Sequence, residues 1–379
     1  MKVLLVGEIY SSNLGDQLIY LSVKDLTERF YPGSKISSMD IMCRKPLINH
    51  MTSKDCLNLV CVDEISIKDS IIKYIISKGY LFTIASAYSA LKKRQNFEDQ
   101  IKSNYDVAVF TGGALIQDIF VFYIYNIVSI FNKKRIAYVF NAVDYGTHNK
   151  LSILLWKKIF SFEFFKGISC RCKNKRICKI DHRLNIIETY DPVISYVFRN
   201  FKCIKGSKYV GLGVMNSSRF LEDEIINFWM DIIEVLRLRG VKWKIFTTGS
   251  ESDSVLAYKV LKALNIEHGE DYLSLPNNPN ELIDIIANFN GIISFRLHSH
   301  IISYALTIPS VGIVWDKKIE DFFEKIDRKN YIFSLFDNPV TIVERIIYAE
   351  SISSSNVLRM TKMIESLYTQ LLSKAVSSK

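Results

Sequence analysis

No apolar run in this chain is long enough to cross a bilayer: the longest, Ile119–Phe131, is broken by Asn126 and Ser129 and falls short of the ~20 residues a span needs. Proline and glycine are sparse, 7 and 16 in 379 residues, and there is no Pro- or Gly-rich linker, low-complexity tract or internal repeat. With 49% apolar and 23% charged residues, the composition excludes a disordered or collagen-like chain. The 7 cysteines are odd in number, which argues against a disulfide framework. Cys170, Cys172 and Cys178 resemble half a zinc cluster, but no CxxC pair or His-x₃₋₅-His completes it, so no metal is expected. The opening Met1–Gly7 holds too short an apolar run for a signal peptide, and a reducing cytoplasm is the expected location. Neither GxxxxGK[ST] nor GxGxxG occurs, so nucleoside triphosphates and dinucleotides have no motif support.

What is present is a localised positive charge. Lys and Arg number 49 against 39 Asp and Glu, a net charge of +10. Between Phe131 and Ile180 stand Lys133, Lys134, Arg135, Lys150, Lys157, Lys158, Lys166, Arg171, Lys173, Lys175, Arg176 and Lys179, with only Asp144 and Glu163 opposing them. Trp156, Phe160, Phe162, Phe164 and Phe165 share the stretch, which follows the apolar Ile119–Phe131 run. Cations among large apolar groups suit either a surface resting on anionic lipid or a buried helix whose Lys stems reach the rim. The segment at about 119–180 is expected to face the membrane. No RRM, KH or zinc-finger pattern appears, so nucleic acid is not an expected partner.

The rhythm along the chain is β-loop-α. Lys2–Val6 reads as a strand, Glu8–Gly15 as a loop and Asp16–Phe30 as an amphipathic helix; Asp106–Phe110, Gly112-Gly113 and a helix from Ala114 repeat the unit. Strands follow at Ile136–Phe140, Gly167–Cys170 and Leu184–Glu188. A new series starts at Tyr209–Val214 and continues through Trp243–Thr247, Gly291–Phe295 and Val311–Trp315, separated by helices, one of them stopped by Gly240. The expectation is an α/β chain of two Rossmann-like, doubly wound domains facing a cleft. Residues 1–200 form the acceptor side and 201–350 the donor side, and a C-terminal helix in 351–379 crosses back onto the first domain.

Four strand-end loops carry the polar residues that such a cleft would use: Asn13 to Asp16, Gly112-Gly113 with Gln117 and Asp118, Thr248-Gly249-Ser250, and Arg296 to His298. Gly112-Gly113 would bring backbone N–H groups to an anion at the start of the next helix. Asp16 is read as the cap of its helix, with Asn13 left open. Arg296 and His298, at the end of an apolar strand, suit anion binding and proton transfer. His300 falls out of phase and is read as packed or bonded to backbone. His148 and His182 lie in the basic segment with no assigned role.

Taken together, these residues resemble the polysaccharide pyruvyl transferase family. The likeness rests on Asn13-x-Gly15-Asp16, on Gly112-Gly113-Ala114-Leu115-Ile116-Gln117-Asp118, and on Ile168-Ser169-x-Arg171 with Asp191-Pro192. Its strongest element is Arg296-Leu297-His298-Ser299-His300-Ile301 with Ala305, Pro309 and Trp315-Asp316-Lys317-Lys318. The stretch Asn141–Tyr145 stands where the family has a Gly-rich segment, and Cys172 stands where an Asp is usual. The resemblance implies a GT-B-like fold, phosphoenolpyruvate in the interdomain cleft, no metal or bound cofactor, Arg171 and Arg296 on phosphate and carboxylate, and His298 in proton transfer. The sugar-side base is open between Asp16 and Asp118. Two other functions compete with this one: a glycosyltransferase using a nucleotide-activated sugar, and a non-catalytic anion-binding or membrane-associated scaffold.

Overall fold

The structure is a computed structural model that describes residues 1–45, 80–102, 104–146, 149–171, 177–204, 207–266 and 272–377, with backbone alone for 80–84. Cys172, Lys173, Lys175, Arg176 and His148 lie outside the described residues.

The first half contains β1 (Lys2–Gly7), α1 (Leu14–Phe30), β2 (Lys35–Asp40), α2 (Tyr80–Lys92), α3 (Arg94–Gln100), β3 (Val107–Phe110), β4 (Gly113–Gln117), α4 (Val121–Lys134), β5 (Ala137–Gly146), α5 (Lys150–Ser161), β6 (Phe165–Cys170), β7 (Ile186–Glu188) and α6 (Val193–Asn200). Its seven strands form one parallel sheet in the order β2-β1-β3-β5-β6-β7, with β4 beside β5. Val3–Val6 and Val107–Phe110 are wholly buried because helices cover both faces, the reason a parallel strand reads as an unbroken apolar run.

The second half contains β8 (Tyr209–Gly213), α7 (Glu222–Leu238), β9 (Lys242–Phe246), α8 (Glu251–Ala263), β10 (Leu273–Ser274), α9 (Pro279–Ala287), β11 (Gly291–Ser294), α10 (Leu297–Ala305), β12 (Ser310–Ile313), α11 (Lys317–Lys325), β13 (Ile332–Phe333), α12 (Pro339–Ile347) and α13 (Ser354–Ser377). Six parallel strands run β10-β9-β8-β11-β12-β13. Each sheet is therefore wound outwards in both directions from its first strand. The order reverses between β1 and β3 in one sheet and between β8 and β11 in the other, where a crevice opens at the carboxyl ends.

The two crevices meet. Leu14 N donates to Thr248 O at 2.9 Å, and a Cβ on Gly249 would lie 2.6 Å from Leu14 Cγ. Leu14 and Leu18 of the first half join Leu297 and Ile301 of the second in one apolar cluster.

As expected, α13 crosses back, packing on α6, β5 and β6. Tyr368 Oη lies 2.6 Å from Thr27 Oγ1, and the Glu365 carboxylate accepts from Arg29 Nη1 (2.9 Å), Arg199 Nη2 (2.8 Å) and Ser195 Oγ (3.1 Å). Burial alone would raise the Glu365 pKa, but these donors outweigh it and hold the group below its ordinary value.

One expectation about the first half needs correction. The chain after Gly112-Gly113 does not become a helix at Ala114; it continues as β4, and the helix begins at Val121. Gly112 (φ +115°) and Gly113 (φ +80°) turn the backbone against β5, where a Cβ on Gly112 would lie 2.5 Å from Asn141 O. This pair thus serves a close strand contact and offers no helix terminus to an anion. Of the aromatic residues of the basic segment, Trp156 and Phe160 are buried, stacked on each other with Phe140 edge-on to both, while Phe162, Phe164 and Phe165 are half-buried.

Candidate active site

β11 ends in buried Ser294, and the chain turns directly into α10, so Arg296 occupies the N-cap position and His298 the first turn. His298 is buried against α1 of the other half. A Cβ on Gly15 would stand 2.2 Å from its Nδ1, so a hydrogen at position 15 is what admits the imidazole. Its Nε2 lies 4.0 Å from Asp191 Oδ2. That carboxylate follows β7, accepts from Val193 N at 3.0 Å through its other oxygen, and also pairs with Arg171 Nη1. Arg171, at the end of β6, has its Nε 3.6 Å from Asp144 Oδ2. One imidazole and one guanidinium, from different halves, therefore flank a single buried carboxylate, which bonds the guanidinium and stands 4.0 Å from the imidazole.

The electrostatics follow from this burial. Desolvation pushes the His298 pKa down to about 4, Arg171 and Lys318 push the same way, and Asp191 and Asp16 only partly oppose them, so the ring is neutral at pH 7. Burial disfavours the Arg171 charge, but Asp191 and Asp144 outweigh it and keep the group above its ordinary value. The Lys318 ammonium, 4.4 Å above the Trp315 ring, is depressed by burial and by Arg171 and Arg296, against Asp316 and Asp16. Arg171 Nε, His298 Nε2, Thr248 Oγ1 and Ser299 Oγ are buried without hydrogen-bond partners among the described residues. The first two, Arg171 Nε and His298 Nε2, come from opposite halves and stand beside Asp191, where a polar ligand would satisfy them. A cavity of ≈ 30 Å³ lies beside them, lined by Asp144, Arg171, Asp191, Leu297 and Lys318 among others. A roomier hollow, ≈ 560 Å³ around Lys208, Lys242 and Lys244, opens at the amino ends of the second sheet, remote from these groups.

The remaining sequence candidates divide. Asn13, not Asp16, caps α1: its side chain accepts from Gly15 N at 3.2 Å, while Asp16 Oδ2 accepts from Asn13 Nδ2 (3.0 Å) and Ser11 Oγ (3.3 Å). Asp16 is close enough to influence His298, Arg171 and Lys318. Arg296 reaches the same field, but its guanidinium is held at 3.0 Å through Nε by the fully buried Asp253, which also accepts from Asn216 N at 2.9 Å. Gly249 packs on Leu14, and Ser250 occupies the N-cap of α8 with its Oγ 3.0 Å from Ser252 Oγ. Gln117 and Asp118 sit at the far end of β4, where Gln117 packs on Gly146 and Asp118 accepts from Asn149 N at 3.4 Å. His300 behaves as expected, its Nε2 3.0 Å from Ser294 O.

Sequence reasoning did not single out Asp191, Lys318, Asp253 or Glu8 as site residues, although Asp191-Pro192 and Lys317-Lys318 stand in the motifs it quoted. Glu8, at the end of β1, is pushed up to about 8 by burial and by Asp16, against Arg44 Nη1 at 3.2 Å.

Comparison with protein families decides the lineage, because the model for polysaccharide pyruvyl transferase matches residues 13–317, a span that starts at the α1 cap and ends in the α11 motif. The chain belongs to that family. Members of the polysaccharide pyruvyl transferase family are transferases, which fits a crevice equipped with Arg, His and Lys. Comparison with curated proteins finds no match. Among solved structures, the UDP-GlcNAc 2-epimerase from Methanocaldococcus jannaschii superposes with a TM-score of 0.57 at 10% identity, covering 98% of this chain and 99% of that one. The Neisseria meningitidis UDP-GlcNAc 2-epimerase bound to UDP-GlcNAc gives 0.56 at 10% identity, covering 99% and 100%. The Rickettsia bellii enzyme gives 0.56 at 10%, covering 100% and 97%. At such identity the likeness concerns the fold alone: two facing Rossmann-like domains of GT-B type.

Proposed function

We propose that this transferase moves pyruvate from phosphoenolpyruvate onto two hydroxyls of a sugar in a lipid-linked surface-polysaccharide precursor, forming a ketal and releasing phosphate at the cytoplasmic face of the membrane. The observation that carries the reading is the Asp191 carboxylate, which brings Arg171 and His298 from opposite halves into one crevice. Phosphoenolpyruvate packs about three negative charges into a few ångströms, a chemistry met by guanidinium forks and an ammonium. Arg171, Lys318 and Arg296 supply them, and Arg296 would trade its hold on Asp253 for the incoming anion.

The reaction needs a proton on the methylene carbon C3, which leaves cationic character at C2. The first sugar hydroxyl adds there and gives up its proton. Phosphate then departs with the C2–O bond pair, and the second hydroxyl adds and gives up its proton, so protons balance against the one consumed at C3 and the one taken by phosphate. His298 is neutral in the free protein; a trianion beside it favours the imidazolium, which equips the ring to protonate C3 only once the donor is bound. Asp16, in the first turn of α1 and near His298 and Arg171, is proposed as the carboxylate that receives a hydroxyl proton. Asp118 accepts from Asn149 N and is not proposed for this role. The scheme uses no metal and no bound cofactor.

Incubation with phosphoenolpyruvate and a panel of lipid-linked saccharides is expected to release phosphate, and His298→Ala to abolish that release. Stabilisation by a nucleoside diphosphate with none from phosphoenolpyruvate would replace this reading with a glycosyltransferase.

A further inference from the structure

The burial of Trp156 and Phe160 on one side of α5 leaves its other face unaccounted for. On α5, Lys150, Leu151, Leu154, Lys157, Lys158 and Ser161 are all exposed. At 100° per residue these six fall within one sector of about 120°, whereas Trp156, Ile159 and Phe160 occupy the core side. The sector is not uniform. Leu151 and Leu154, 50% and 62% exposed, stand in its first turns behind Lys150, and Lys157 and Lys158 follow towards its end. α5 begins beyond the carboxyl end of β5, with Asn149 tied to Asp118, so its leucine end lies at the same edge of the sheet as the crevice. α4 packs against both α5 and α2, and α2 adds Tyr88 and Leu91, 60% and 62% exposed, with the Lys92 ammonium 4.4 Å from the Tyr88 ring.

We infer that this α5 face, with the end of α2, rests on an anionic lipid bilayer: the leucines enter the headgroup boundary and Lys157 and Lys158 lie over lipid phosphates. The argument is one of charge and size. Exposed leucines beside lysines on one helical stripe are the pattern of an interfacial helix, and no helix among the described residues is long and apolar enough to span a bilayer. A dimer contact would bury ~800 Å² on each partner, far more than two half-exposed leucines supply. An acidic protein would leave the leucines without purpose, and a nucleic acid would likewise ignore them. The inference deepens the proposed lipid-linked acceptor by naming the face that would bring the crevice to its lipid, and its test requires no substrate.

The full chain is sedimented with vesicles of phosphatidylcholine alone and with vesicles containing about 30% phosphatidylglycerol, at low and high salt. Binding is expected on the anionic vesicles at low salt, with loss at high salt and little on the neutral ones. Lys157→Gln with Lys158→Gln should weaken binding about 25-fold, roughly fivefold per lysine. Leu151→Ser with Leu154→Ser should weaken it about tenfold per leucine while keeping the salt dependence. These positions face solvent, so circular dichroism and Tm should be unchanged. Retention of wild-type binding by both double variants, absence of binding to anionic vesicles, or a dimer that the leucine variant splits would each overturn the inference. Phosphate release on lipid-linked saccharides dispersed in detergent is measured alongside: its absence in wild type would speak against the proposed reaction, and its preservation in all variants would leave the vesicle result to judge the surface alone.

Discussion

α1 and α10 start at the facing switch points of the two sheets, yet they are finished in opposite ways. α1 is closed by the Asn13 side chain and carries Asp16 in its first turn; α10 has no side-chain cap and no acid in its first turn, and Arg296 and His298 stand at its opening. A helix N-terminus attracts negative charge, and only that of α10 is left free to do so. The titratable groups repeat the contrast: on the first side Glu8 is held protonated towards pH 8, and on the second His298 is held neutral. In the proposed reaction, this difference puts the anionic donor against the start of α10, with Arg171 reaching it from the first half, and the hydroxyl-bearing acceptor against the start of α1.

His298→Ala tests the donor side most severely. Phosphate release should fall by about 10³-fold, within the 10²–10⁴ that a positioned acid contributes, with the fold intact by circular dichroism. Gly15→Ala tests whether the halves must touch: its Cβ would collide with His298 Nδ1 at 2.2 Å, and displacing the ring should cost about 10²-fold in kcat. Arg296→Lys keeps the charge but loses the planar fork, so turnover should drop about tenfold and Tm should fall as Asp253 loses a donor; normal turnover would make Arg296 structural.

The pH dependence of stability separates the two sides by sign. His298 binds its proton less readily folded than unfolded, so its contribution is complete above about pH 6.5 and is lost as pH falls through about 4. Glu8 does the reverse, complete below about 4.5 and lost as pH rises through about 8. Thermal melts across pH 4–8 should show His298→Gln flattening the acidic limb and Glu8→Gln the basic one. The smallest effect expected is that of Asn13→Ala, a lost cap worth about 1 kcal/mol in urea unfolding; no loss at all would remove the asymmetry between the helix starts.

The parallel strands are legible in the sequence because both of their faces are buried: alternation of apolar and polar residues is absent, and Val3–Val6, Val107–Phe110 and Gly291–Ser294 read as short unbroken runs. β2, with its Ser37-Ser38 centre at the sheet edge, has no such run and leaves no signal. β4 reads as helix because Ala114-Leu115-Ile116 suits either period, and its fate is set by a backbone contact with β5 that no local pattern encodes. In the site, Gly15, Asp16, Arg171 and His298 meet, and each stands in a short motif at a strand or helix end. Asn13 and Asp16 are both good acceptors within one turn, so nothing local tells which of them caps the helix. The carboxylates that hold the guanidiniums, Asp191 and Asp253, lie 20 and 43 positions away, and only the tertiary fold couples them.

The cavity lined by Arg171, Asp191 and Lys318, ≈ 30 Å³, has room for about one water molecule and is smaller than a three-carbon phosphate ester. Lys325 of α11 meanwhile reaches across to Thr189 O at 3.0 Å and also donates to Arg171 O. In the proposed reaction, seating a three-carbon phosphate ester here would break this strap, and re-forming it around the donor would seal the enol ester away from bulk solvent, so that sugar hydroxyls rather than water capture the cationic carbon.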